Sequence, residues 1–411
     1  MKRILIRRAA ALSLAGLLCV LALSLPGCSE KVVRVGAVLP TTGPDAIYGE
    51  AVRKGVDLAY EEIQANPEEY PTQILLETVD SESDPEKAKD LLAQQYDDGA
   101  LLALGGVTSR EAKEMIAVAE TYDRVLLSPT ASSPELSGLS RNFYRIWPSD
   151  FAAARRMAQF VSQDLEIDEV VVLAEEQQTY AKGIQSAFES AYEGYGGKVA
   201  EAIEFPPNTE DVAGLIERVM TLEPKAVYVA AYGEAIGNII EELRNQGYEG
   251  KILTTSAFAS PRFIAPLGED AAGVILTQSV FELDSDHAHV QTFVESYEAK
   301  YGEPPDIFAA HGYDALKVIA AAVQGRPPIP SEIPKGLREI KDFPGVTGSI
   351  QFNEKGDVLK YPRVYIIGKD ALLYDYTERV RQQQEEIRKR REELRKRLEA
   401  IQRKAEELKD G

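Results

Sequence analysis

Leu101-Leu102-Ala103-Leu104-Gly105-Gly106-Val107-Thr108-Ser109 opens the stretch that decides the fold. It is a short apolar run that breaks at two glycines and continues into hydroxyl side chains. Helical spacing follows over Arg110–Glu120, and a second short apolar run spans Val125–Leu127. That run ends in Ser128-Pro129-Thr130-Ala131-Ser132-Ser133-Pro134. Strands alternating with helices of this size build parallel sheets covered on both faces.

The same rhythm extends in both directions. Toward the N-terminus, the apolar run Val32–Leu39 leads into the loop Thr41-Thr42-Gly43-Pro44. Val52, Val56, Ala59, Tyr60 and Ile63 then recur at helical spacing. Ile74–Val79 reads as a strand. Asp84-Pro85 opens a helix through Leu92, with proline in the first turn, where its missing N–H costs nothing. Toward the C-terminus the alternation resumes at Val170–Ala174, Ile184–Tyr192, Ala226–Ala230, Ile236–Leu243, Ile252–Thr254 and Gly273–Thr277. A helix over Ile307–Val323 and a late strand near Val364–Ile367 complete the body.

In open α/β sheets, ligands sit at the carboxyl ends of strands, where helices present free N–H groups. The loops Gly105–Ser109 and Ser128–Pro134 stand at such ends. Their hydroxyls and amides can donate to a carboxylate, and a helix dipole favours an anion there. Taken alone, the same residues also read as ordinary helix caps.

The N-terminus fixes the compartment. Lys2, Arg3, Arg7 and Arg8 precede an apolar stretch from about Ala9 to Leu25, which ends in Leu25-Pro26-Gly27-Cys28. Basic, apolar, small residue and Cys in that order read as a secretory signal over 1–27. The tetrapeptide resembles the bacterial lipobox, which implies cleavage before Cys28 and acylation of Cys28. Cys19 would leave with the signal, so no intramolecular disulfide can form. An extracytoplasmic, membrane-anchored lipoprotein is expected.

The formal charge is −20. The signal contributes about +4 and the segment after Tyr376 about +3, leaving roughly −27 for the body. So acidic a body disfavours nucleic acid, whose affinity comes mostly from phosphate attraction. Catalytic signatures are missing: there is no phosphate-binding glycine loop and no G-x-S-x-G elbow. Asp284, Asp286, His287 and His289 carry metal-ligand types, but they read as a polar loop capping the helix that starts near Val290. No metal, cofactor or enzymatic activity is expected.

A set of short motifs in order carries a resemblance. Val35-Gly36-Ala37 leads to Thr42-Gly43-Pro44 and Tyr48-Gly49. Asp84-Pro85, Leu126–Ser132, Arg145, Tyr301-Gly302-Glu303-Pro304 and Tyr313-Asp314-Ala315 follow. Together they resemble the Leu/Ile/Val-binding family of type I periplasmic binding proteins, over roughly Val32 to Tyr374. The resemblance implies two Rossmann-like lobes with parallel sheets joined by three crossovers at a hinge, and the permease of an ABC importer as partner. Lobe 1 would be 28–147 with 281–356, and lobe 2 would be 148–280 with 357–376. Ser109 would bond a ligand carboxylate, Ala131 would lend its backbone and Ser132 its hydroxyl. Tyr48 would cover the ligand, and Tyr180 and Tyr232 would contact it from lobe 2.

Amino-acid binders of the family carry an acid after the strand aligned with Ile252–Thr254, paired with the ligand ammonium. Thr255-Ser256-Ala257 stands there instead, which would put Ser256 against the ligand at that position. Glu234 or Asp45 could substitute; otherwise the ligand is a carboxylate, an amide or an aromatic acid without an α-ammonium. The expected function is capture of a small amino acid or amino-acid-like solute for import. The alternative is a receptor subunit that reports the same ligand to a membrane partner.

The tail 377–411 departs from the family. Val380, Ile387, Leu394, Ile401 and Leu408 repeat every seven residues, with Gln384, Arg391, Leu398 and Ala405 four positions after the first four. This is a heptad with a half-polar second seam, so either self-association as a coiled coil or a solitary charged helix is expected.

Overall fold

The computed structural model describes residues 32–176, 178–207, 209, 211–380, 389–391 and 395. The signal, Cys28 and the heptad positions other than Val380 and Arg391 lie outside them.

The first sheet has five strands. They are β1 (Val32–Leu39), β2 (Gln73–Asp80), β3 (Leu102–Gly105), β4 (Val125–Ser128) and β5 (Phe143–Arg145). All run parallel, in the order β2-β1-β3-β4-β5. The central strands β3 and β4 are buried along their whole length. This explains why they read as continuous apolar runs rather than alternating ones. Three helices make the crossovers: α1 (Ala46–Ala65), α2 (Pro85–Asp97) and α3 (Ser109–Thr121). Asp84 caps α2 by accepting from the N–H groups of Glu86 and Lys87, with Pro85 in the first turn.

The second sheet has seven strands. They are β6 (Glu169–Glu175), β7 (Lys198–Phe205), β8 (Ala226–Ala230), β9 (Lys251–Thr254), β10 (Ile275–Gln278), β13 (Arg363–Ile367) and β14 (Leu373–Asp375). Their order is β14-β13-β10-β9-β8-β6-β7. β6 to β10 are parallel, whereas β13 and β14 are antiparallel additions at one edge. Helices α4 (Asp150–Gln163), α5 (Thr179–Gly194), α6 (Val212–Thr221) and α7 (Gly233–Asn245) lie among these strands in the chain.

The chain passes between the sheets three times: after β5, after β10 and before β13. Between the second and third passages it adds to the first lobe. Helix α9 (Ala288–Tyr301) follows the short α8 (Pro261–Ile264), and α10 (Ile307–Val323) is buried nearly all round. α10 packs on α1 at very close range. A Cβ on Gly55 would stand 1.9 Å from the Ala309 carbonyl oxygen, and one on Gly312 would stand 2.3 Å from that of Val52. Asp314 of α10 also accepts from the N–H groups of Val346 (2.8 Å) and Thr347 (2.9 Å). These bonds hold the hairpin of β11 (Phe343–Gly345) and β12 (Gly348–Ile350).

The fold is the α/β architecture expected, with two corrections. The late strand near Val364–Ile367 pairs antiparallel. The Asp284–His289 segment gives α9 no side-chain cap: His287 stands at its N-cap without such a bond, and His289 Nε2 meets the Gly345 carbonyl at 3.3 Å. Among the described residues no group of three or more His, Cys, Asp or Glu is placed to hold a metal ion. Among them, too, no helix is long and apolar enough to cross a membrane.

Candidate functional site

The hydroxyl loops after β3 and β4 converge. Gly106 takes a positive φ of 65°, which lets the chain turn tightly from β3 toward α3. The Thr108 hydroxyl caps α3 by accepting from Glu111 N–H at 3.4 Å. Ser109, next in line and buried, accepts through Oγ from the N–H groups of Ser132 (3.3 Å) and Ser133 (3.1 Å). Ser128 Oγ donates to the Gly106 carbonyl at 2.8 Å, and Thr130 Oγ1 donates to that of Val107 at 2.7 Å. The two loops are thus stitched into one polar surface at the start of a helix.

A buried arginine props that surface from behind. Arg145 Nε lies 2.7 Å from Asp357 Oδ1. Its Nη1 donates to the Ser133 carbonyl at 2.8 Å and that of Ala131 at 3.4 Å, and its Nη2 donates to Ser137 Oγ at 2.5 Å. Asp357 belongs to the third passage between lobes, so the same residue that shapes the loop also ties the first passage to the third.

The second lobe closes over this surface. The Tyr48 hydroxyl donates to the Ala257 carbonyl at 2.9 Å and accepts from Gly233 N–H at 2.8 Å. Ser260 Oγ donates at 2.8 Å to Asp306, which caps α10 through the N–H groups of Phe308 and Ala309. Tyr180 and Tyr232 pack with ring centroids 5.2 Å apart, and Tyr232 lies 5.9 Å from Tyr48. Burial pushes the hydroxyls of Tyr48, Tyr180 and Tyr232 up, so all three stay neutral phenols.

Between the lobes lies a small cavity, about 30 Å³ in this closed arrangement. Tyr48, Ser109, Ser132, Tyr180, Tyr232 and Ser256 all line it, six of the seven ligand-binding positions expected from the sequence. Ala131 does not. Its N–H is donated to Ser128 Oγ at 2.9 Å and its carbonyl accepts from Arg145, so both backbone groups are used inside the protein. Thr130 lines the cavity in its place. Trp147 and Phe308, stacked at 5.4 Å with their planes 10° apart, supply an aromatic wall that the sequence reading missed. Trp147 is the only tryptophan of the chain and directly precedes the first passage between lobes, which is the one signal that could have drawn attention to it.

Among the described residues, no acid lines this cavity. Asp45, Glu175 and Glu234 line a larger groove of about 480 Å³ that shares Tyr48 and Tyr232 with it. Asp45 there pairs with Arg110 at 2.8 Å, and Glu175 accepts from Tyr232 N–H at 3.2 Å. Glu234 is exposed. Neither Asp45 nor Glu234 reaches the chamber that Ser109 and Ser132 face. Chemically, the chamber offers hydroxyls and a helix N-terminus for an anion, and aromatic rings for an apolar or planar body. Its described lining holds no nucleophile–base pair.

The family model for periplasmic binding proteins matches residues 32–362. The leucine-, isoleucine-, valine-, threonine- and alanine-binding protein of Pseudomonas aeruginosa is 25% identical over 349 residues, covering 84% of this chain and 92% of that one. A crystal structure of a leucine-binding protein, LivK, from Thermotoga maritima superposes with a TM-score of 0.78 at 26% identity, covering 84% of this chain and 97% of that one. The branched-chain amino acid transporter substrate-binding protein LivJ of Streptococcus pneumoniae, solved with isoleucine, gives a TM-score of 0.77 at 25% identity over 84% of this chain and 98% of that one. The two-lobed fold, the chamber between the lobes and the match across most of the chain agree, and this protein belongs to the periplasmic binding protein family, whose members are extracytoplasmic solute-binding proteins rather than enzymes.

Proposed function

We propose that the chain captures an amino acid, or an amino-acid-like carboxylate or amide, between its lobes and hands it to the permease of an ABC importer. The observation that carries this reading is the polar surface of Ser109, Thr130 and Ser132 at the start of α3, facing a chamber walled by Tyr48, Trp147, Tyr180, Tyr232 and Phe308. The names of the relatives point to the same solute class. The moving bodies would be 28–147 with 281–356 and 148–280 with 357–376. Closure requires the solute to touch both, because only a higher affinity for the closed state shifts the equilibrium.

Calorimetry on the purified protein with leucine, isoleucine and valine tests the reading. The Ser109→Ala variant should bind more weakly by roughly 1–3 kcal/mol, the scale of leaving a charged acceptor short of a donor. Unchanged affinity in both Ser109→Ala and Tyr232→Ala for a solute found in the chamber would falsify the site. Anchoring through an acylated Cys28 is the companion proposal, supported by the basic–apolar–lipobox order. Incorporation of labelled fatty acid should be lost in Cys28→Ser, and retained label rejects it.

A further inference from the structure

In this closed arrangement the chamber, at about 30 Å³, leaves room for little more than water. The larger space is the groove beside it, about 480 Å³, which shares Tyr48 and Tyr232 as a wall. Both lobes line that groove: Asp45, Ile47 and Arg110 from the first, Glu175, Gln178 and Glu234 from the second. Ile47, Phe205, Leu215 and Phe263 give it an apolar side on which methylenes can lie. The groove is therefore the space into which a solute held by its carboxylate at Ser109 and Ser132 can extend, past the two tyrosine rings.

The charges in the groove do not balance. Three carboxyls, Asp45, Glu175 and Glu234, face one basic side chain in the described lining, Arg110. Arg110 is committed within the first lobe: its Nη2 donates to Asp45 at 2.8 Å and to the Ser83 carbonyl at 3.0 Å. Glu234 stands in the first turn of α7, where an acid suits the helix dipole. Glu175 has no such reason. It is 6% exposed at the end of β6, and its carboxylate, with about four acceptor sites, takes a 3.2 Å bond from Tyr232 N–H. Burial pushes the Glu175 carboxyl up, and the negative charge of Asp45 across the cleft adds to the push. In the same groove the Gln178 amide oxygen and the Tyr232 hydroxyl are buried without a hydrogen-bond partner among the described residues. Buried acceptors left without donors call for an explanation in a bound partner. An ammonium is the complementary group, with three donors and the opposite charge.

We propose that the groove is a subsite for a distal cation on the solute, held by Glu175, Gln178 and Tyr232 with Glu234 at the rim, and that the solute class is accordingly the basic amino acids. The inference rests on the amino-acid reading above and deepens it by naming the side chain. Carboxylates from both lobes contribute, so a cation between Asp45 and Glu175 offsets their repulsion and favours the closed state over the open one. A neutral aliphatic side chain would leave the same acceptors desolvated without compensation. A distal carboxylate would find the buried, unpartnered Arg110 Nε, but against three carboxyls and a single guanidinium.

The test is calorimetry on the purified protein with L-lysine, L-norleucine and L-glutamate. Lysine and norleucine differ only in the terminal ammonium, so the comparison does not depend on how the chamber holds the α-amino group. The native protein should prefer lysine to norleucine by on the order of 10- to 100-fold, the scale of a hydrogen bond to a charged group, with glutamate the weakest of the three. Glu175→Gln keeps an acceptor for Tyr232 N–H and removes the charge, and Glu234→Gln alters an exposed side chain. Each should reduce the lysine-to-norleucine ratio, and the two together should bring it to within about threefold of equality. Norleucine bound as tightly as lysine by the native protein overturns the subsite, and that arm needs no variant. Glutamate bound more tightly than norleucine overturns it too, as does a ratio unchanged in the folded double variant. Binding of none of the three, nor of leucine, isoleucine or valine, sinks the amino-acid reading itself and the subsite with it.

Discussion

Asp150 and Glu111 are both buried carboxyls pushed up to about 7, and desolvation is the leading cause for each. Ser81 donates to Glu111 at 2.6 Å, and the Ser132 hydroxyl opposes desolvation at Asp150 in the same way. Each folded-state value is raised above that of the unfolded chain. Between about pH 4 and 7 the folded state therefore holds more protons, and stability falls as pH rises through that window. For Asp150 the loss is on the order of 4 kcal/mol at most, since each tenfold change in proton affinity is worth about 1.4 kcal/mol. Asp150→Asn should raise the denaturant midpoint of the ligand-free protein at about pH 8 and change it little at about pH 4. A midpoint that drops at both pH values would mean the carboxyl serves the fold after all. The sequence hid this residue, because Pro148-Ser149-Asp150 reads only as a helix start. Ser109 and Ser132 were legible because each sits on a glycine- or proline-marked loop directly after an apolar strand. Trp147 and Phe308 share a wall although far apart in the chain, and no local pattern joins them.

The elements were read more easily where burial is complete. β8 and α10 begin and end where their apolar runs do, at Ala226–Ala230 and Ile307–Val323. β7 escaped because it is an edge strand in which Lys198, Glu201 and Glu204 break the apolar residues into pairs, giving neither a continuous apolar run nor a period of two. β5 escaped because three residues hold no period. The α1–α10 contact is where an element-level prediction is sharpest. Gly55 touches the backbone of α10, so Gly55→Ala must push the helices apart rather than gain helix propensity. Overpacking of this kind costs roughly 1–3 kcal/mol, more than the ~1 kcal/mol that alanine would return in an exposed helix. Urea denaturation should show the loss, and a stabilised variant would contradict the close crossing.

For the whole molecule, the parallel sheets followed from the strand–helix alternation, and the two-lobe plan from the family resemblance. The closed arrangement did not, because it depends on contacts between residues as distant as Tyr48 and Ala257. Tyr48 gives its single hydroxyl to two backbone groups of the second lobe. Tyr48→Phe removes both bonds, worth about 1 kcal/mol each, and should shift the ligand-free equilibrium toward open forms by roughly 30-fold. Small-angle scattering would report this as a larger radius of gyration in the variant; identical curves would mean that other contacts hold the lobes.

The three passages of the chain also bear on how the molecule is made. The first sheet is finished at Arg145, yet α10, which covers α1, begins only at Ile307. β13 and β14, which complete the second sheet, come later still. A chain synthesised from its N-terminus therefore exposes the apolar surface around Val52 and Val56 until most of the polypeptide exists, the kind of surface through which unfinished chains aggregate. For the same reason, neither lobe can be excised as one continuous fragment without losing a helix or a pair of strands that its core requires.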